Sequence, residues 1–157
     1  MSKKESINVL YVDDEPNNLE SFKASFRRNF NVFTAISANE AEKILESNHG
    51  IHVLITDQRM PKKTGTELLE EAVKKYPNPT RIILTAYPED EAVQEAQRRG
   101  LIYRSAAKPW DETELLNYII EGYDLFYSKI NQQQRLINLK RINEELNKSL
   151  KKSNDKK

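Results

Sequence analysis

A chain of 157 residues is long enough for one domain with a hydrophobic core and an appendage, and 38% hydrophobic with 31% charged residues describes a water-exposed protein. No apolar run approaches the roughly 18 residues that cross a bilayer, residues Met1-Ser2-Lys3-Lys4-Glu5 lack the apolar stretch of a signal peptide, and the absence of cysteine excludes disulfides and thiolate metal sites. A cytoplasmic location is therefore expected. The net charge of +1 conceals two parts: residues 128–157 carry nine Lys or Arg and three Asp or Glu, which leaves the rest of the chain acidic. The basic tail has no aromatic residue and no reading motif, so a solvated helix is expected there and not a nucleic-acid contact.

The first apolar run, Ile7-Asn8-Val9-Leu10-Tyr11-Val12, reads as a buried strand ending at Asp13-Asp14. Pro16 suits the first turn of a helix, and Leu19, Phe22, Phe26 and Phe30 follow at spacings that share one helix face. Residues 31–36 are a second strand. Ser37 with Glu40 three residues on predicts a capping box, and Gly50 a left-handed close to that helix. Residues 51–56 form a third strand that ends at Asp57. Thr64 and Glu67 cap a helix through Leu68, Leu69, Ala72 and Val73. A fourth strand spans 81–85. Residues 88–99 make a short helix, acidic first and basic last, which Gly100 ends. A fifth strand begins at Leu101-Ile102-Tyr103-Arg104. Asp111 and Glu114 then cap a helix expected to run to about residue 150, roughly 60 Å at 1.5 Å per residue. Repeated βα units imply a parallel sheet covered on both faces, whose functional site lies beyond the carboxyl ends of the strands.

Those strand ends hold the chemistry. The first offers Asp13 and Asp14, the third Asp57 and the fourth Thr85, while Lys108-Pro109 follows the fifth. Three clustered carboxylates repel one another, and burying them unpaired is costly. Mg2+ takes oxygen ligands and keeps part of its water. Together with Lys108 it would balance three negative charges. A carboxylate so placed can act as a nucleophile and form an aspartyl phosphate, with metal and lysine stabilising the equatorial oxygens.

The motifs Val9-Leu10-Tyr11-Val12-Asp13-Asp14-Glu15, Asp57-Gln58-Arg59-Met60-Pro61 with Gly65, Leu84-Thr85-Ala86 and Lys108-Pro109-Trp110 resemble those of the receiver domains of two-component response regulators. The match is specific in order and spacing and covers roughly residues 5 to 125. It implies a flavodoxin-like (βα)5 fold, an α/β class with a five-stranded parallel sheet of order 2-1-3-4-5. By position it implies Asp57 as phosphoacceptor, Asp14 as direct Mg2+ ligand, Asp13 as the acid that holds the metal through water, and the Arg59 backbone carbonyl as a further ligand. Thr85 and Lys108 would bind the phosphoryl group. Ala86 would keep that site accessible. Arg59 and Tyr87 would tune the dephosphorylation rate, and Lys108-Pro109 would be cis. The implied partner is a histidine kinase or phosphotransfer protein, and the implied role is a phosphorylation switch, not a turnover enzyme.

One position departs from the resemblance. The switch aromatic, three residues before the lysine, is Ser105 here, and Tyr103 lies two residues earlier on the same strand face. Either Tyr103 substitutes, or output runs through the loop after Thr85. His49 and His52, the only histidines, are too few and too close for a catalytic pair, and Trp110 is expected to pack at the start of the last helix. Leu136, Leu139, Ile142, Leu146 and Leu150 form a narrow seam that needs a partner. The expected organisation is a receiver domain over 5–127 and a helical extension over 128–157, frayed at its end, with a homodimer or helix partner engaged through 125–150. Two other readings remain: a phosphate-independent interaction module, and a Mg2+-dependent phosphohydrolase. The second is disfavoured because the first strand offers adjacent aspartates, Asp13 and Asp14, and no pair of aspartates two residues apart.

Overall fold

The structure is a computed structural model that describes residues 6–47 and 49–155. Residue 5, where the receiver domain is expected to begin, and residues 156–157 of the expected extension lie outside that range. Five strands alternate with five helices: β1 (Asn8–Val12), α1 (Pro16–Phe26), β2 (Asn31–Ala35), α2 (Ala38–Glu46), β3 (Val53–Thr56), α3 (Gly65–Lys75), β4 (Thr80–Thr85), α4 (Glu91–Arg98), β5 (Arg104–Ala107) and α5 (Glu112–Asp155). Every strand pair is parallel, and the order is β2-β1-β3-β4-β5. This is the expected flavodoxin-like architecture with a long last helix.

Side chains alternate across the central strands and divide the core in two. Leu10, Val12, Leu54 and Ile83 face α2, α3 and α4, where Ala41, Leu45, Leu68, Leu69, Val93 and Ala96 meet them. Val9, Tyr11, Val53, Ile55, Ile82 and Leu84 face α1 and α5, against Phe22, Phe26, Leu115 and Ile119. Burial on both faces explains why these strands are continuous apolar runs. Trp110 packs on the second cluster with its ring edge-on to Phe22, centroids 5.9 Å apart.

Thr64 and Glu67 form the expected reciprocal capping box, whereas Ser37 accepts from the Glu40 amide without a returned bond. Three expectations need correction. Phe30 is buried but lies beyond the end of α1. Gly50 has φ +68° yet sits four residues past α2, which Ser47 already closes. The fifth strand starts at Arg104, not Leu101. There Gly100, at φ +74°, ends α4 in a Schellman motif: Gly100 N–H donates to the Gln97 carbonyl and Leu101 N–H to the Ala96 carbonyl. Arg81 Nε then donates to the Leu101 carbonyl at 2.7 Å. With these backbone groups already bonded, the apolar Leu101 and Ile102 serve the core and not the ladder.

The chain divides into two units, Met1–Phe126 and Tyr127–Lys157. In the first, α5 is held by Leu115 and Ile119 in the core and by the Thr80 hydroxyl, which donates to the Gly122 carbonyl at 2.6 Å. His52, just ahead of β3, meets the Tyr123 and Phe126 rings edge-on, and its Nδ1 accepts the Asn8 amide at 3.0 Å. Burial lowers its pKa. The second unit continues the 44-residue α5, and Leu136, Leu139, Ile142, Leu146 and Leu150 are exposed along it. Among the described residues no helix is long and apolar enough to cross a membrane.

Candidate functional site

The strand register brings the polar residues to one rim. Val12 lies opposite Thr56, Thr56 opposite Ile83, and Thr85 opposite Ala107. Each ladder extends one bond further: Asp13 N–H donates to the Ala35 carbonyl, Asp57 N–H to that of Val12 and Lys108 N–H to that of Thr85. The backbone positions from which Asp13, Asp57, Thr85 and Lys108 project are thereby fixed by strand pairing. One carboxylate oxygen from each of Asp13, Asp14 and Asp57 lies within 4.8 Å of the others. Lys108 Nζ bridges the two most buried acids, 2.6 Å from Asp13 Oδ2 and 3.2 Å from Asp57 Oδ2. The Lys108-Pro109 peptide is cis.

Asp13 is 0% exposed and densely bonded. Its Oδ2 accepts from the Tyr11 hydroxyl at 2.6 Å, Asn18 Nδ2 at 3.1 Å and Lys108, and its Oδ1 accepts the Glu15 amide at 3.0 Å. Burial works to raise its pKa, but the bonds from Lys108, Tyr11 and the Glu15 amide outweigh it and hold the carboxyl below the ordinary range. Asp57 goes the other way. Burial raises its pKa against the pull of Lys108, and the neighbouring Asp13 adds to the rise. A single amide, that of Gln58, donates to Asp57 Oδ1 at 2.8 Å. Of the two buried acids, Asp57 is thus the one less stabilised as an anion. Thr85, 1% exposed, accepts the Tyr87 amide on its hydroxyl at 3.2 Å.

Arg59 and Tyr87 are brought together outside this cluster. The guanidinium carbon of Arg59 stands 3.9 Å above the centre of the Tyr87 ring, and Nη2 lies 3.7 Å from Asp90 Oδ2. Tyr103 is not brought to the site. Its amide donates to the Arg81 carbonyl, ahead of β5, and its hydroxyl reaches Glu121 on α5 at 3.3 Å. Ser105 pairs in register with Ile83, two residues short of the rim position of Ala107.

The sequence reading missed Tyr11, Asn18 and Asp90. Tyr11 was legible in principle, because residues two apart on a strand share a face and Asp13 follows Tyr11 by two. Its ring is fully buried and stacked on Phe22 at 4.4 Å, so phenylalanine would fill the same space. The hydroxyl donates to Asp13. Tyr11→Phe is therefore expected to cost about 1 to 3 kcal/mol at neutral pH, the scale of a bond to a charged group. Stability tied to a depressed carboxyl pKa is present above the ordinary carboxylate range and lost as pH falls through the folded value. The variant's deficit in urea denaturation should shrink on acidification, and an equal deficit at both ends of that range would contradict this role for the hydroxyl.

The donor set suits a hard divalent cation: three carboxylates face one point, Lys108 offsets one charge of three, and every donor is oxygen. An acid cluster and a lysine at the carboxyl rim of a parallel α/β sheet lie where open α/β domains carry their ligand sites. Comparison with known proteins narrows the class. Residues 9–120 match the family model of the response regulator receiver domain, and the chain belongs to that family. The hydrogenase transcriptional regulatory protein HoxA of Bradyrhizobium diazoefficiens is 32% identical over 118 residues, covering 75% of this chain and 24% of that protein. The regulatory protein AtoC of Escherichia coli is 33% identical over 115 residues, 72% of this chain and 24% of that protein. The chain thus aligns with about a quarter of the length of these relatives. Among solved structures, a CheY-like receiver domain protein of Methanospirillum hungatei superposes with TM-score 0.71 at 28% identity, over 78% of this chain and 98% of that one. A receiver domain protein of Clostridium thermocellum gives 0.71 at 30%, over 76% and 95%.

Proposed function

We propose that this receiver domain is a phosphorylation switch in which Asp57 takes a phosphoryl group from the phosphohistidine of a kinase or phosphotransfer protein. The observation that carries the reading is Lys108 bridging Asp13 and Asp57 while Asp14 completes the acid cluster. An oxygen of the ionised Asp57 attacks phosphorus, the bond from phosphorus to the imidazole nitrogen breaks, and the imidazole leaves with the electron pair. Asp14, Asp57 and the Arg59 backbone carbonyl would hold Mg2+ directly and Asp13 through water, and the ion would neutralise charge on the transferred group. Lys108 pairs with one phosphoryl oxygen and the Thr85 hydroxyl donates to another. Arg59 and Tyr87, beside the site, set how readily water reaches the phosphoryl group. Ser105 leaves β5 without the bulky switch side chain, and Tyr103, held by Glu121, does not stand in for it.

The domain, 5–127, then acts through its surface and the helical extension 128–157, in the cytoplasm, with no membrane or nucleic-acid contact of its own and no turnover chemistry. The exposed seam from Leu136 to Leu150 supports pairing of two copies, or of one copy with another helix, through 125–150. Size-exclusion chromatography with light scattering tests both points. The wild type is expected to run as a concentration-dependent dimer and to change mass or shape when Mg2+ and beryllofluoride are added, while Asp57→Ala does not respond. A monomer at every concentration removes the dimer. Confirmed beryllofluoride binding with no change in mass or shape favours the phosphate-independent module, which Ser105 also favours.

A further inference from the structure

Two side chains beside the acid cluster, Arg59 and Tyr87, lie at the start of α4. Asp90 is the N-cap of that helix, and its Oδ1 accepts the Ala92 amide at 2.9 Å. Its Oδ2 faces Arg59, two residues from Asp57 in sequence, across 3.7 Å. The Arg59 guanidinium carbon stands 3.9 Å from the centre of the Tyr87 ring, and the Tyr87 amide donates to the Thr85 hydroxyl. The loop is closed on itself as well, since Asp90 N–H donates to the Tyr87 carbonyl at 3.1 Å and Gln94 Nε2 to that of Pro88 at 2.8 Å. Arg59, Tyr87 and Asp90 thus join the β3–α3 loop, the β4–α4 loop and the first turn of α4, with Thr85 at one end. No comparable path leaves through β5 among the described residues: Ser105 carries only a hydroxymethyl group, and Tyr103 is turned to Glu121.

We propose that Arg59 is exchanged between Asp90 and the phosphoryl group on Asp57, and that this exchange carries the signal to the start of α4 in place of an aromatic side chain on β5. The inference rests on the phosphorylation reading above. A phosphoryl group brings close to two negative charges and several acceptor oxygens, and guanidinium meets such a group with paired hydrogen bonds. Asp90 offers one charge at 3.7 Å beside a side chain that is 60% exposed, a contact of the weak solvent-screened kind. The stronger anion takes the arginine. Tyr87 loses its cation at the moment that Thr85, turning its hydroxyl to the phosphoryl oxygen, releases the Tyr87 amide. Both losses fall on residues 86–90, and the N-terminal turn of α4 loses its tether to the β3–α3 loop while Asp90 keeps its cap.

Amide hydrogen exchange on the full chain tests this, with and without Mg2+ and beryllofluoride, and with 19F resonance of bound beryllofluoride as the separate measure of occupancy. Asp90→Asn is the informative variant, because asparagine caps a helix as well as aspartate but carries no charge for Arg59. In the wild type, exchange over 86–94 should rise about fivefold on beryllofluoride binding, the scale of one exposed ion pair with a cation–π contact. In Asp90→Asn it should already be raised without ligand and respond little further, although beryllofluoride still binds. Tyr87→Leu should behave alike. A full wild-type rise in both variants, or bound beryllofluoride with no change over 86–94 in the wild type, overturns the relay and leaves the receiver function standing. Failure of the wild type to bind beryllofluoride overturns both.

Discussion

Asp57→Asn is expected to abolish phosphoryl uptake and, at the same time, to make the metal-free protein more stable at neutral pH. The amide has no anionic oxygen to attack phosphorus, so the first effect is complete. The second follows from the direction of the Asp57 pKa, raised by burial with Asp13 beside it. A carboxyl whose folded pKa is raised binds its proton more tightly in the folded state than in the unfolded one. Its ionised form therefore destabilises the protein above the ordinary carboxylate range, and stability is recovered as pH falls through the folded value. Asparagine carries no such penalty. The gain should be about 1 to 2 kcal/mol at neutral pH, since the burial penalty and the repulsion relieved are partly offset by the lost attraction to Lys108 at 3.2 Å. It should fade on acidification. Mg2+ should stabilise the wild type by mass action and the variant much less. Thermal denaturation of both proteins across pH, with and without Mg2+, checks each part; an Asn variant less stable than wild type at neutral pH would contradict the assignment of Asp57 as the strained acid.

Gly65→Ala is expected to be the most damaging small substitution at the site. Gly65 opens α3 where the helix start runs against the end of β3, and its amide donates to the Gln58 carbonyl at 2.9 Å. A Cβ there would stand 2.3 Å from the Asp57 carbonyl oxygen and 3.1 Å from the Asp57 carbonyl carbon and the Gln58 Cα. All three are backbone atoms in a buried, hydrogen-bonded turn, so no rotamer relieves the clash. The Asp57 carbonyl also accepts from the Thr56 hydroxyl at 2.9 Å, and the Gln58 side chain is bonded to Thr66. Overpacking of this kind costs about 3 kcal/mol or more. Because the displaced atoms belong to Asp57 itself, Mg2+ affinity should fall together with the midpoint of urea denaturation. An alanine variant with wild-type stability and metal binding would show that the loop gives way more readily than its bonding pattern implies.

Much of this was legible from residue types in order. Asp13, Asp14, Asp57, Thr85 and Lys108 each follow an apolar run, and the rule that parallel sheets bind ligands at the carboxyl ends of strands gathers them without coordinates. The helix starts at Pro16, Thr64 and Asp111 were equally plain, because caps are local chemistry. The start of β5 was misread for a reason of tertiary origin: Leu101 and Ile102 look like strand, but the Schellman bonds and Arg81 had already taken their backbone groups. The pairing of Arg59 with Asp90 joins residues 31 apart in sequence on two loops, and nothing in local pattern announces it. Tyr11 lay between these cases, since its spacing from Asp13 was visible while the reach of its hydroxyl was not.

Phosphoryl uptake at Asp57 is read by tandem mass spectrometry of the full chain after incubation with acetyl phosphate and Mg2+, with Asp57→Asn treated in parallel. One added phosphoryl group is expected on the wild type, located on Asp57, lost when Mg2+ is chelated before the donor is added, and absent from the variant. An unmodified Asp57 in wild type whose Mg2+ binding has been confirmed, or equal labelling of the Asp57→Asn protein, would contradict the phosphorylation switch.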